Sequence, residues 1–241
     1  MNNPPNAQSK APPAYTWLIV AIAGLVAPII ALLVFGEVTG SVPFVSIGLM
    51  SAGIIGAAVA GRFWIGVLLA VIAALALIGF TQAIGASTLA PARIVALGLA
   101  VLVASVSFAI RGALFAQSTR DKGWLIALFV VTGEAAILIT AVARSGELPF
   151  WLLALLPAQW TNLAIQAALT LGDLETASAP LIALAGTAAA TALVVRLWPR
   201  KWTYLIMFST WIGFSALVYS TQPSLPVVTS DASSLLTGIA R

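Results

Sequence analysis

The chain has 241 residues, of which 61% are hydrophobic and only 7% charged, with a mean hydropathy of +1.08. A water-soluble domain needs roughly 25% charged residues to cover its surface, so this composition excludes one and makes lipid the solvent. The formal charge of +4 does not mark a nucleic-acid binder, because the basic residues stand singly or in small groups beside apolar segments and not along one solvated face.

Residues 1–14, MNNPPNAQSKAPPA, are polar, carry four prolines and read as a short disordered cytoplasmic tail without the basic start of a secretory signal. A membrane span needs about 20 mostly apolar residues at ~1.5 Å rise each. Candidates fall near residues 15–35, 43–60, 63–83, 93–110, 123–143, 179–197 and 202–220. These are continuous apolar runs, unlike the alternating ~10-residue strands of a membrane barrel. The expected fold is an all-α, polytopic transmembrane bundle over 15–220, followed by a flexible outer tail over 221–241.

The stretch 146–175, GELPFWLLALLPAQWTNLAIQAALTLGDLE, resists assignment. It is nearly long enough to span, yet prolines stand at 149 and 157 and the polar run Gln159, Trp160, Thr161, Asn162 falls at its middle. If 148–172 spans, there are eight helices, and the eleven basic residues divide six against five between the two sides. If it enters and returns, Lys10, Arg62, Arg111, Arg120, Lys122, Arg196, Arg200 and Lys201 share one side, opposite Arg93, Arg144 and Arg241. Lys and Arg accumulate in cytoplasmic loops, so eight against three favours seven spans with a proline-broken re-entrant or interfacial segment. Eight spans is the alternative. Acidic Glu37, Glu147, Asp173, Glu175 and Asp231 sort to the outer side, with Asp121 inside. Trp17, Trp64, Trp124, Trp198 and Trp202 gather at the cytoplasmic boundary, the level tryptophan prefers. The expected location is a bacterial-type inner membrane, amino terminus cytoplasmic and carboxyl terminus outside.

Under the hairpin reading, Pro157 removes a backbone donor and disfavours helix at Leu156, which places a turn near mid-depth where Gln159, Thr161 and Asn162 could replace lost hydrogen bonds. At the same depth stands Glu134, ten residues before Arg144 and so ~15 Å below the end of its helix. Neutralising a glutamate at pH 7 costs about 3.7 kcal/mol, close to the roughly 3 kcal/mol for a charge at helix centre. Its partners therefore decide its state. With Arg111 placed just past a span, the span interiors hold no Lys or Arg, and the partners in reach are Thr132, Thr140, Gln159, Asn162 and Gln166. Glu134 with Gln159, Thr161 and Asn162 is the candidate substrate or ion site. The competing reading is a neutral glutamate hydrogen-bonded between helices.

Small residues repeat every fourth position at Gly48, Ala52, Gly56 and Ala60, and again at Ala96, Ala100 and Ala104, making faces on which another helix can approach closely. These faces serve the bundle or a second copy. Pro28 is expected to kink the first span, and mid-span Trp211 to pack.

Enzyme signatures are missing. There is no histidine or cysteine, no HExxH, no GxSxG and no phosphate-cradling glycine loop with lysine. The last span has no interior lysine for a retinal Schiff base. No catalytic residue, metal or cofactor is expected, a lipid-modifying enzyme being the nearest catalytic option. Two functions fit: a small-solute or ion transporter or channel built on Glu134 and the turn at 157–162, and a non-catalytic subunit or scaffold of a membrane complex. The expected partners are the lipid bilayer and either a second copy or a membrane-complex partner, not nucleic acid.

Overall fold

A computed structural model describes residues 13–84, 93–119, 122–144, 147–170, 174–198 and 200–221. Most of both tails, with Lys10, Asp231 and Arg241, lies outside the described residues, as do Arg120, Asp121, Asp173 and the side chains of Glu37 and Glu175.

Among the described residues every regular element is helical: α1 (Ala14–Ala21), a π-helical turn (Ile22–Val26), α2 (Ala27–Thr39), α3 (Val42–Ala60), α4 (Phe63–Ala83), α5 (Ile94–Thr119), α6 (Gly123–Ala143), α7 (Phe150–Ala154), α8 (Pro157–Thr170), α9 (Leu174–Arg196) and α10 (Trp202–Thr221). Seven stretches are long and apolar enough to cross a membrane, namely Ala14–Gly36, α3, α4, α5, α6, Ala177–Arg196 within α9, and α10. They are compatible with an integral membrane protein. The stretch 148–172 is not among them, because it is divided into a helix of five residues and one of fourteen.

The first crossing stretch runs through α1, the π turn and α2. Proline at 28 has no N–H to give the Gly24 carbonyl, and the ladder widens just before it, with the Ala27 N–H bonding back to Ile22. This local widening is a recognised cause of helix bending. The released Gly24 carbonyl faces Gly48 of α3, where a Cβ would meet that oxygen at 2.8 Å. Glycine at 48 is therefore a requirement of close backbone approach. In lipid, helices are held by such packing and by hydrogen bonds, not by a hydrophobic drive between them.

The centre of the bundle is α3. Its crossing stretch is 89% buried, against 17% for α6 and for α10, and it packs on α4, α5, α6, α8 and the π turn. Ala52 lies against Gly24, and Gly56 against Leu69 of α4. Ala96, Ala100 and Ala104 are likewise buried within the chain. The small-residue faces are occupied internally.

Ring and backbone contacts identify the two ends of the bundle. Tyr15 packs edge-on against Trp124, centroids 6.2 Å apart, and Gly61, Ala116 and Val195 border one cleft, so the start of α1, the α3–α4 turn, the α5–α6 connection and the end of α9 share a first face. At the opposite, second face stand Arg93 and Arg144. There Phe150 packs against Tyr219 near the end of α10, and the Arg93 guanidinium donates to the Leu169 carbonyl near the end of α8. The α7–α8 pair thus begins and ends at the second face.

One expected boundary is wrong. The fourth span was placed at 93–110, but its helix, α5, continues to Thr119 and has 26 residues in all, ~39 Å of helix. Gly112, Ala113, Leu114, Phe115 and Ala116 offer nothing to break it, so Arg111 lies inside the helix and not in a loop.

Candidate functional site

The site begins at the break before Pro157. α7 ends at Ala154, and α8 resumes at Pro157, whose fixed φ and missing N–H suit the first position of a helix. The interruption leaves carbonyls at the end of α7 and an N–H at the start of α8 without helical partners, and non-helical backbone inside a bundle must find others. It does. The indole of Trp160 donates to the Ala154 carbonyl at 2.8 Å, and that of Trp211, from α10, donates to Leu155 at 3.1 Å. The N–H of Ala158 donates to Glu134 Oε2 at 3.3 Å. Glu134, projecting from the middle of α6, caps α8 from outside, where a carboxylate also meets the positive end of the helix dipole.

Beneath this junction lies a cavity of about 380 Å³. Its polar groups are Glu134 with Arg111 of α5, Thr187 and Thr191 of α9, and the Trp211 indole; Leu114, Phe115, Val130, Pro157, Met207 and Phe208 supply apolar walls. Counted from Trp202 and Gly123, these positions run from mid-depth towards the first face, while α7 and α8 fill the half nearer the second face. The cavity thus lies on the first-face side of the turn.

Arg111 is held by its own surroundings. One guanidinium nitrogen donates to Thr187 Oγ1 at 3.1 Å, and the group lies 5.5 Å from the Phe108 ring centroid, within cation–π range. The Thr187 hydroxyl donates to the Ala183 carbonyl at 2.8 Å, which leaves its oxygen free to accept from Arg111. The other terminal nitrogen, Nη1, is shielded from solvent and has no hydrogen-bond partner among the described residues. Arg111 and Glu134 line the same cavity without forming a direct salt bridge; among the described residues an ion pair within 4 Å is made only by exposed Arg144 and Glu147, at 3.3 Å.

No family model, curated protein or solved structure matches the chain. The site must be read from its own chemistry.

Of the expected site residues, Glu134 lines the cavity, and the other three do not. Gln159, Thr161 and Asn162 belong to the first turns of the returning helix, since Pro157 lets α8 restart at once. Thr161 bonds the Pro157 carbonyl at 3.1 Å, and Asn162 Nδ2 donates to Gln159 Oε1 at 3.3 Å. The Asn162 Oδ1 is buried without a partner among the described residues. Nor do the expected partners serve Glu134. Thr132 lines a separate apolar cavity beside Pro28, Thr140 bonds Ala136 of its own helix, and Gln166 is exposed.

The statement that no basic residue occupies a span interior is overturned by Arg111. Its signal was available: the apolar run after it continues through Phe115 and Ala116. The contributions of Thr187, Thr191 and Trp211 had no such signal, because only packing turns those faces of α9 and α10 towards α5 and α6.

Proposed function

We propose that the chain is a membrane transporter whose substrate site is the cavity between Arg111 and Glu134. The observation that carries this reading is the placement of an arginine and a glutamate on one apolar-walled cavity without a salt bridge between them. Ionisable residues inside a membrane bundle are expensive and ordinarily mark a pathway, and a pair needed for structure alone gains most by direct contact. The broken α7–α8 element beside the cavity supports the same reading, since interrupted helices form substrate sites in transporters and supply elements that can move. We place the first face in the cytoplasm of a bacterial-type inner membrane, following the basic residues around Arg62, Lys122, Arg200 and Lys201. The cavity would then be approached from inside, with α7 and α8 closing the outer half.

A subunit or scaffold role has less to rest on, because the small-residue faces that could have received a partner are used within the chain. The test is flux of charged and zwitterionic solutes and lipids in proteoliposomes. Protein-dependent flux that falls at least tenfold in both Arg111→Gln and Glu134→Gln, with Thr170→Ala unchanged, is the expected result. No protein-dependent flux, or flux indifferent to both substitutions, would reject the assignment.

A further inference from the structure

The cavity is open in a direction that a water-soluble substrate does not need. α10 packs chiefly on α9 and α7, leaving a seam between it and α6. Val130 of α6 and Met207 and Phe208 of α10 stand on the two sides of that seam and also line the cavity. Phe208 is 51% exposed and its neighbour Leu205 72% exposed, so this edge faces the surroundings of the bundle, which for a helix in a bilayer means acyl chains.

We infer that the substrate is a zwitterionic amphiphile, its anionic group held at Arg111, its cationic group at Glu134, and its apolar chain leaving through the α6–α10 seam. This rests on the cavity being the substrate site. Three features converge on it. Arg111 lines the cavity, and among the described residues its guanidinium spends one of its five N–H donors, on Thr187, so donors remain for a phosphate or carboxylate oxygen. Glu134 offers its carboxyl group on the same cavity, so a ligand carrying both signs finds a partner for each, whereas a plain anion would meet the acid of Glu134. The walls between and below them are apolar, and they are continuous with the membrane-facing edges of two helices that do not close on each other. A free zwitterion of similar head chemistry would satisfy the charges but leave the apolar walls and the seam without a role.

The test uses the purified full chain in dodecyl maltoside with three photoactivatable lipids that carry the reactive group in the acyl chain: phosphatidylethanolamine, phosphatidylglycerol and diacylglycerol. Phosphatidylethanolamine is expected to label Val130, Met207 or Phe208 at least fivefold more than either of the others. Labelling should fall at least fivefold in Arg111→Gln and in Glu134→Gln. Soluble glycerophosphoethanolamine should fail to compete at concentrations where unlabelled lipid does. Equal labelling by diacylglycerol would reduce the seam to ordinary lipid contact, and equal labelling by phosphatidylglycerol would remove the cationic group from the ligand. Effective competition by the soluble head group would assign the cavity to a free zwitterion. Each of these overturns the inference, and each is read on the unsubstituted protein whatever the variants do to folding. Selective labelling without any flux would defeat the transport reading while leaving the binding site standing.

Discussion

The indole nitrogen of Trp211 on α10 donates a hydrogen bond to the carbonyl of Leu155, 56 residues earlier in the chain and 3.1 Å away. This bond reaches the tip of a helix pair that enters the bundle and turns back. Together with the Trp160 bond to Ala154 it satisfies carbonyls that the break releases. Leaving a buried acceptor unpaired costs about 1–3 kcal/mol. Trp211→Phe, which keeps the ring and removes the donor, should destabilise the protein by that amount in detergent unfolding. Trp160→Phe should cost at least as much, since Trp160 is fully buried and also loses packing. Neutral behaviour of both variants would show that the break does not depend on these donors.

The two roles of Glu134 can be separated by substitution. Glutamine keeps an oxygen for the Ala158 N–H and removes the charge, while leucine removes both. Glu134→Gln should therefore stay within about 1 kcal/mol of the parent in stability, and Glu134→Leu should lose about 1–3 kcal/mol. Flux should fail in both. If the leucine variant is as stable as the glutamine variant, the cap contributes nothing measurable.

The return of α8 to the face it started from predicts a labelling pattern. The chain has no cysteine, so single cysteines report without background. Thr170→Cys and Arg144→Cys, both exposed positions, should react with an impermeant maleimide from one side of sealed vesicles. Arg62→Cys and Lys201→Cys should react from the other. An eighth full span would group Thr170 with Arg62 and Lys201 with Arg144.

Close approach of α3 and α5 predicts a strong glycine requirement. A Cβ on Gly112 would run into the Ile54 carbonyl and come within 2.8 Å of the Ala57 Cβ. Backbone cannot step aside as a side chain can, so Gly112→Ala should cost about 1–3 kcal/mol or more. Gly133→Ala, which meets nothing within 4 Å, should change stability by no more than about 1 kcal/mol. Unfolding of both variants in one detergent makes the comparison direct.

The sequence by itself determined what depends on composition and length. Helices as the only regular element among the described residues, seven stretches long and apolar enough to cross a membrane and a break at Pro157 all follow from apolar run length and from proline's missing donor. What it could not supply was direction around each helix axis. These helices are apolar nearly all round, so no polar face says which side of α5, α9 or α10 turns inward. Arg111 shows the consequence: as a charge near the end of an apolar run it reads as a loop residue, and only the packing of α5 against α9 places it beside Thr187 and opposite Glu134. The polar run after Pro157 shows the converse. Gln159, Thr161 and Asn162 were the chemically obvious choice for the site, yet α8 turns them elsewhere and leaves Glu134 a backbone N–H instead. The depth of a residue is written along the chain at ~1.5 Å per step, but its neighbours are set by helix rotation and close glycine contacts, which exist only once the bundle has formed.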